Sequence, residues 1–194
     1  MTPTDAALFA TQLAMGFALA ATVGLRTFLP LLAAGLLARF GYVDLGHSFE
    51  WMSGAPALVV FGSAVIFEVL ADKVPGLDHA LHLVESFVKP VAGTLIAASL
   101  FTNLDPTLAV VLGLIGGGTI AGAVHIAKGT TRAASTALTG GLGNPFLSLL
   151  DDVLAVGGIV VAILAPLVAA LIVLIVGVGA VRLLRRSRRR APAT

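Results

Sequence analysis

The sequence contains no cysteine. Disulfide staples, a thiol nucleophile and cysteine-held metal are therefore excluded. Charge is scarce as well: Asp, Glu, Lys and Arg make up 11% of the 194 residues, against about 25% in a soluble domain. There is one Trp and one Tyr. No Lys or Arg precedes the first apolar run, which opens after Asp5. A secretory leader starts basic, so this segment is expected to stay on the chain. Also missing are a Walker A loop, a His-Glu-x-x-His zinc motif and a nucleophile elbow. Nothing in the pattern calls for a cofactor.

What is abundant is apolar. Hydrophobic residues reach 58% and the mean hydropathy is +1.03. A run over 6–25 has the length of about 20 residues that a membrane-crossing helix needs. A shorter one over 30–38 follows Arg26-Thr27 and stops at Arg39. Further apolar runs cover 56–71, 91–104, 107–127 and 153–181. The last is longer than one crossing, so a tilt and a kink at Pro166 are expected. Between the third and fourth runs, 76–89 has a helical period. Leu77, Ala80, Leu81, Val84, Phe87 and Val88 share one face, and Asp78, His79, His82, Glu85 and Lys89 the other. That pattern reads as a helix lying on the membrane surface. His79, His82 and Glu85 have metal-ligand spacing too, but a wet helix face is the plainer reading.

These runs predict an all-α membrane protein. It would have about five transmembrane helices, one or two short or re-entrant segments and the amphipathic surface helix. A single integral membrane domain would cover 1–181, in the cell (inner) membrane. The tail 182–194 holds six arginines and reads as a cytoplasmic anchor on anionic lipid. Without those six the chain is acidic by four charges. Nucleic-acid binding is the less fitting use of such a tail.

The polar stretch 128–152 is the centre of interest. It lies between two apolar runs and is rich in Gly, Ser and Thr. Gly140, Gly141 and Gly143 permit a sharp reversal, and Asn144-Pro145 looks like a cap followed by a first-turn proline. Non-helical backbone at membrane depth occurs where protein buries it or water reaches it. Arg26 and Arg132 each follow an apolar span, and in both cases a Gly-Leu pair lies nine residues on. With one span between the units, this reads as an inverted repeat of the transporter kind. Gly116-Gly117-Gly118 at mid-span reads as a break or a tight packing point. Gly16/Ala20/Gly24 and Gly118/Gly122 form small-residue faces, from which a homo-oligomer, a dimer, is expected.

Several of these residues carry a resemblance. They are Gly24-Leu25-Arg26 with Pro30, Glu68 with Ala71-Asp72-Lys73 and Pro75, and Asp78-His79. Later come Lys128, Arg132, Gly140 to Pro145 (Gly-Gly-Leu-Gly-Asn-Pro), Ser148 and Asp151-Asp152. With them the chain resembles the polytopic membrane proteins grouped as domain of unknown function DUF4126. Asp-Asp stands where that family's pattern leads one to expect Glu-Asp. The resemblance implies an all-helical membrane fold and no particular activity.

The candidate substrate- or ion-binding residues are Arg26, Glu68, Asp72, Lys73, His125, Lys128, Arg132, Asn144, Asp151 and Asp152. Isolated charges in hydrocarbon are costly, so they find partners or water. The expected pairs are Arg26 with Glu68, and Arg132 with Asp151 and Asp152. One surplus carboxylate would then take a cation or a proton. An arginine beside a helix N-terminus also suits an anion, at Arg26 before Pro30 and at Arg132 before 133–138. His125 is in helical line with Lys128 and Arg132 and suits a proton relay or a packed core. The plainer view of all these charges is helix ends paired for packing. The expected function is a transporter or channel for a small ion or polar solute, with membrane lipid as its other partner. The alternatives are an intramembrane or lipid-modifying enzyme using Asp151, Asp152 and His125, and a structural, lipid-organising protein.

Overall fold

A computed structural model describes residues 3–72 and 77–190, with the backbone alone for 77–82, 183, 184 and 186–190. The described residues are helical and contain no strand. In order they form α1 (Pro3–Leu25), α2 (Phe28–Arg39), a 3-10 helix (His47–Ser53), α3 (Ala55–Ala71) and α4 (Leu77–Ser99). Then come α5 (Pro106–Leu112), a π-helical segment (Gly113–Gly118), α6 (Thr119–Thr139), α7 (Asn144–Leu164) and α8 (Pro166–Arg190). α5, the π segment and α6 make one rod of 34 residues.

Among the described residues three helices are long and apolar enough to cross a membrane: α1, the 34-residue rod and α7. The 3-10 helix and α3, bent by 62° at their junction, make a fourth crossing if counted as one span. α2 and Pro166–Arg182 of α8 are apolar but shorter. By length and composition, the described residues therefore hold three to four candidate spans, where about five were expected.

Local chemistry explains most element ends. Asp105 caps α5 by accepting from the amides of Thr107 (2.9 Å) and Leu108 (3.4 Å), with Pro106 in the first turn. The six-residue π segment coincides with the glycine run, where the backbone is least constrained. The α6–α7 reversal uses Gly140 (φ +62°) and Gly141 (φ +92°), a region that side-chain-bearing residues seldom enter. Pro166 has no amide to donate, and α7 stops before it, with Ala165 at φ −144°. The expected kink is thus a full break between two helices.

Four expectations are corrected. First, 76–89 and 91–104 are not separate elements: α4 runs through Pro90 as one helix. It does not carry its charge outward either. Glu85 and Lys89 are buried while Leu83, Val84, Phe87 and Val91 are exposed. The period was read correctly and its direction reversed, since a periodic face does not say whether water or protein receives it. Second, 128–152 is irregular only at 140–143. Arg132 lies inside α6, so no helix begins at 133 and the anion-site reading fails there. The two arginines of the proposed repeat also sit in different local structures, a helix break at Arg26 and a helix interior at Arg132. Third, Gly143 precedes α7 and Asn144 is its first residue. The Asn144 amide donates to Thr136 Oγ1 (3.0 Å), which ties the start of α7 to α6. Fourth, the small-residue faces are used inside one chain. A Cβ on Gly16 would meet the Ala97 backbone, on Gly24 the Ala121 carbonyl, and on Gly118 Thr94 and the Pro90 carbonyl. The dimer loses the argument that suggested it.

α1 is the central helix and packs against α4, α6, α7 and α8. Its Leu19, Ala20 and Val23 join Ile96 of α4 and Leu100 and Phe101 just beyond it in the core. α4 and the rod approach closely at Gly93 and Gly117, where a Cβ on Gly93 would lie 2.7 Å from the Gly117 carbonyl. The perimeter is apolar: Val59, Val60, Ile66, Phe87, Ile126, Leu154 and Leu171 are all exposed. Such a surface suits contact with lipid.

Candidate functional site

The site is built round the joint between α1 and α2. α1 ends at Leu25, Arg26 and Thr27 interrupt the helix, and α2 begins at Phe28. An interrupted helix leaves carbonyls unpaired on one side and amides on the other. Here side chains from three other helices satisfy them. Lys89 of α4 donates to the Gly24 carbonyl (3.2 Å) and Lys128 of α6 to the Leu25 carbonyl (2.9 Å). Glu68 of α3 accepts from the Thr27 amide (2.8 Å) and the Phe28 amide (3.3 Å). Cations thus meet the negative end of α1 and a carboxylate meets the positive end of α2, each the favourable sign. Glu68 reaches the joint because Phe61, Glu68 and Ala71 form the buried stripe of α3.

Arg26 is itself buried and clamps three groups. Its Nη1 lies 2.6 Å from Asp72 Oδ2, its Nε 2.5 Å from Asp152 Oδ1 and its Nη2 3.1 Å from Ser148 Oγ. Arg132 reaches Asp72 (3.3 Å) and Asp151 (3.2 Å) through one nitrogen, Nη2. Lys128 lies 3.3 Å from Asp151, and the Ser148 hydroxyl donates to Asp72 at 3.3 Å. Asp72 is therefore shared by two arginines, and Asp151 by an arginine and a lysine. These links tie the ends of α1 and α3 to α6 and α7.

A second group adjoins the first on the α4 side. Lys89 Nζ lies 2.9 Å from Glu85 Oε2. His125 Nε2 is 3.2 Å from Ser86 Oγ, and its Nδ1 is 3.9 Å from Glu85. Glu68 and Glu85 are neighbours close enough to act on each other electrostatically.

Of the ten residues proposed from sequence, the structure brings Arg26, Glu68, Asp72, Lys128, Arg132, Asp151 and Asp152 to this joint, with His125 at its α4 edge. Asn144 lies away from it, on the α6–α7 hairpin, and Lys73 falls outside the described residues. The pairing differs from the expected one. Glu68 caps backbone amides instead of pairing with Arg26, and Asp152 goes to Arg26 instead of Arg132. A backbone N-terminus competes for a carboxylate as an arginine does, and sequence spacing cannot rank the two. Lys89 and Glu85 were missed as site residues. The signal was present: both lie in a helix whose other face is large and apolar, which in lipid is the outward face. His79 and His82 have no described side chains. Among the described residues no cluster of His, Asp and Glu could hold a metal ion.

An all-helical architecture whose described residues hold three to four helices apolar enough to cross a membrane, closed round an interior ionic cluster, is compatible with a membrane protein. The chain belongs to the family described as Domain of unknown function (DUF4126), which matches residues 13–186. That description names no activity. No curated protein and no solved structure matches the chain.

Proposed function

We propose that the protein is a multi-pass membrane protein of the cell membrane that moves a small ion or polar solute, with the α1–α2 joint as its site. The observation that carries this reading is the joint itself: an interrupted helix whose two open ends meet ionisable side chains from α3, α4 and α6. Interrupted helices with charged partners are the way transporters build ion sites without stranding backbone groups in hydrocarbon. Shared carboxylates support the reading further. Asp72 and Asp151 each have two cationic partners, so a partner can be exchanged without leaving either group bare.

The enzymatic alternative gains less. It needs His125 with Asp151 and Asp152, yet His125 is turned to Ser86 and Glu85 on α4. A purely structural role predicts that the charges serve packing alone and that no solute moves.

The test is flux into proteoliposomes holding the full chain, with an ion panel and an imposed pH gradient. Asp151→Asn is expected to abolish flux while the folded yield is kept, because Asp151 is the inward member of the Asp151–Asp152 pair. Absence of flux for every ion, or normal flux in both Asp151→Asn and Asp152→Asn, refutes the proposal.

A further inference from the structure

We propose that a cavity between α2, α3 and α4 binds a small hydrophobic monocation, an ammonium group carried on an alkyl or aryl body. The cavity has a volume of about 480 Å³, within the range of about 300–1,000 Å³ typical of small-molecule sites. Its walls include Phe28, Val60, Phe67, Val84 and Val88, and its polar lining includes Thr27, Glu68 and Glu85. The site stands on this geometry alone and does not depend on transport at the α1–α2 joint.

Two atoms point to an occupant. Glu85 Oε1 and Thr27 Oγ1 are buried and have no hydrogen-bond partner within the chain. Both residues are more than nine-tenths buried, at 7% and 0% exposure. A buried carboxylate oxygen without a partner is costly, and folds keep such atoms where something else completes them. The rest of the neighbourhood is already committed. Glu85 Oε2 takes Lys89, and both oxygens of Glu68 take the amides of Thr27 and Phe28. Lys89 is also held by the Gly24 carbonyl. The acceptor left to complete is therefore Glu85 Oε1, beside the adjoining Glu68 carboxylate, with the buried Thr27 hydroxyl in the same wall.

Charge fixes the sign of the ligand and the walls fix its body. Glu68 and Glu85 put two carboxylates in the cavity lining, and no Lys, Arg or His is among the lining residues, so the wall itself favours a cation over an anion. A strongly hydrated inorganic ion gains nothing from Val60, Val84 and Val88, whereas an apolar body does. Phe28 and Phe67 add aromatic rings of the kind that attract ammonium groups. Of the lining residues, Val60, Phe67 and Val84 are themselves exposed, an apolar approach suited to a ligand that partitions into lipid. The same ammonium chemistry is found on free amphiphilic amines and on the headgroup of an amine-bearing phospholipid.

The probe is 2-phenylethylammonium, with 3-phenylpropanol as neutral and 3-phenylpropanoate as anionic counterpart. Binding to the purified full chain is measured by calorimetry in nanodiscs without any gradient, so failure here is distinct from failure of flux. The ammonium is expected to bind and the counterparts to bind about tenfold more weakly or not at all, as loss of a charge-assisted hydrogen bond implies. Glu85→Gln should weaken the ammonium by a similar factor. Val84→Trp, which fills the exposed rim and leaves both carboxylates in place, should block it too and decides the matter if Glu85→Gln fails to fold. Nanodiscs of phosphatidylethanolamine and of phosphatidylglycerol separate the sources. Competition in the first alone makes the headgroup amine the occupant; equal binding in both assigns the site to a free amine. No ammonium binding, equal affinity for the three probes, or full binding to Val84→Trp would overturn the proposal.

Discussion

Replacing Arg26 by methionine tests whether the ionic network or the apolar core holds the α1–α2 joint. Methionine keeps much of the apolar stem and removes the guanidinium. Three partners then lose their donor: Asp72, Asp152 and Ser148. They are not equivalent. The Asp152 side chain is 34% exposed and can turn to water, so its loss counts for about 0–1 kcal/mol. Asp72 is 4% exposed. Breaking a buried pair from one side typically costs about 3–5 kcal/mol. Asp72 keeps Arg132 and the Ser148 hydroxyl, both at 3.3 Å, which places the expected cost of Arg26→Met at the low end, about 3 kcal/mol. If the stranded Asp72 charge causes it, Arg26→Met with Asp72→Asn should recover about 1–2 kcal/mol over Arg26→Met alone. The assay is equilibrium unfolding of the full chain in mixed micelles, followed by circular dichroism, as a double-mutant cycle. If the two substitutions add, with no coupling, the joint is held by packing and the network is incidental.

Other perturbations separate backbone from side-chain effects. Alanine at Gly140 meets no neighbouring atom, so the loss of about 1–2 kcal/mol expected for a left-handed residue is backbone strain alone; an unchanged melting temperature would place the turn elsewhere. Alanine at Gly177, which has open space and no positive φ, should instead be neutral or stabilise by up to about 1 kcal/mol through helix propensity, read in the same melt. Asp105→Ala should cost about 1 kcal/mol by removing the cap of α5, and hydrogen exchange at Thr107 and Leu108 should rise first. Gly93→Ala should lower folded yield sharply, since its Cβ meets the Gly117 backbone and overpacking costs about 1–3 kcal/mol; normal yield would mean that α4 and the rod are further apart.

Much of the helical layout was legible because its signals are local. The glycines of the α6–α7 turn and the break near Pro166 each act within a few residues. The gathering of Arg26, Asp72, Lys128, Arg132, Asp151 and Asp152 was legible from cost alone, since charges in an apolar chain seek each other. What could not be read was partner choice. Glu68 prefers two backbone amides, and those amides are open only because the helix breaks at Arg26-Thr27. The inward turn of α4 was lost for a related reason. A hydrophobic stripe faces the core of a soluble protein but the solvent of a membrane protein, and the stripe alone is silent on which solvent surrounds it.

The inverted polarity of α4 has a consequence for synthesis. Glu85 and Lys89 travel out of the ribosome before α6 exists, so His125 and Lys128 are not yet made when α4 must settle. During that interval the two charges have each other, four residues apart, and the α1 carbonyl at Gly24. α1 must therefore be in place first and wait with its C-terminal end open. The joint at Arg26 is then a receptacle formed early and filled in stages, by α3, by α4 and last by the α6–α7 hairpin. A chain cut before α6 would carry the receptacle half filled: α4 would still pack on α1 through Leu19, Val23 and Ile96, while the Leu25 carbonyl would lack Lys128.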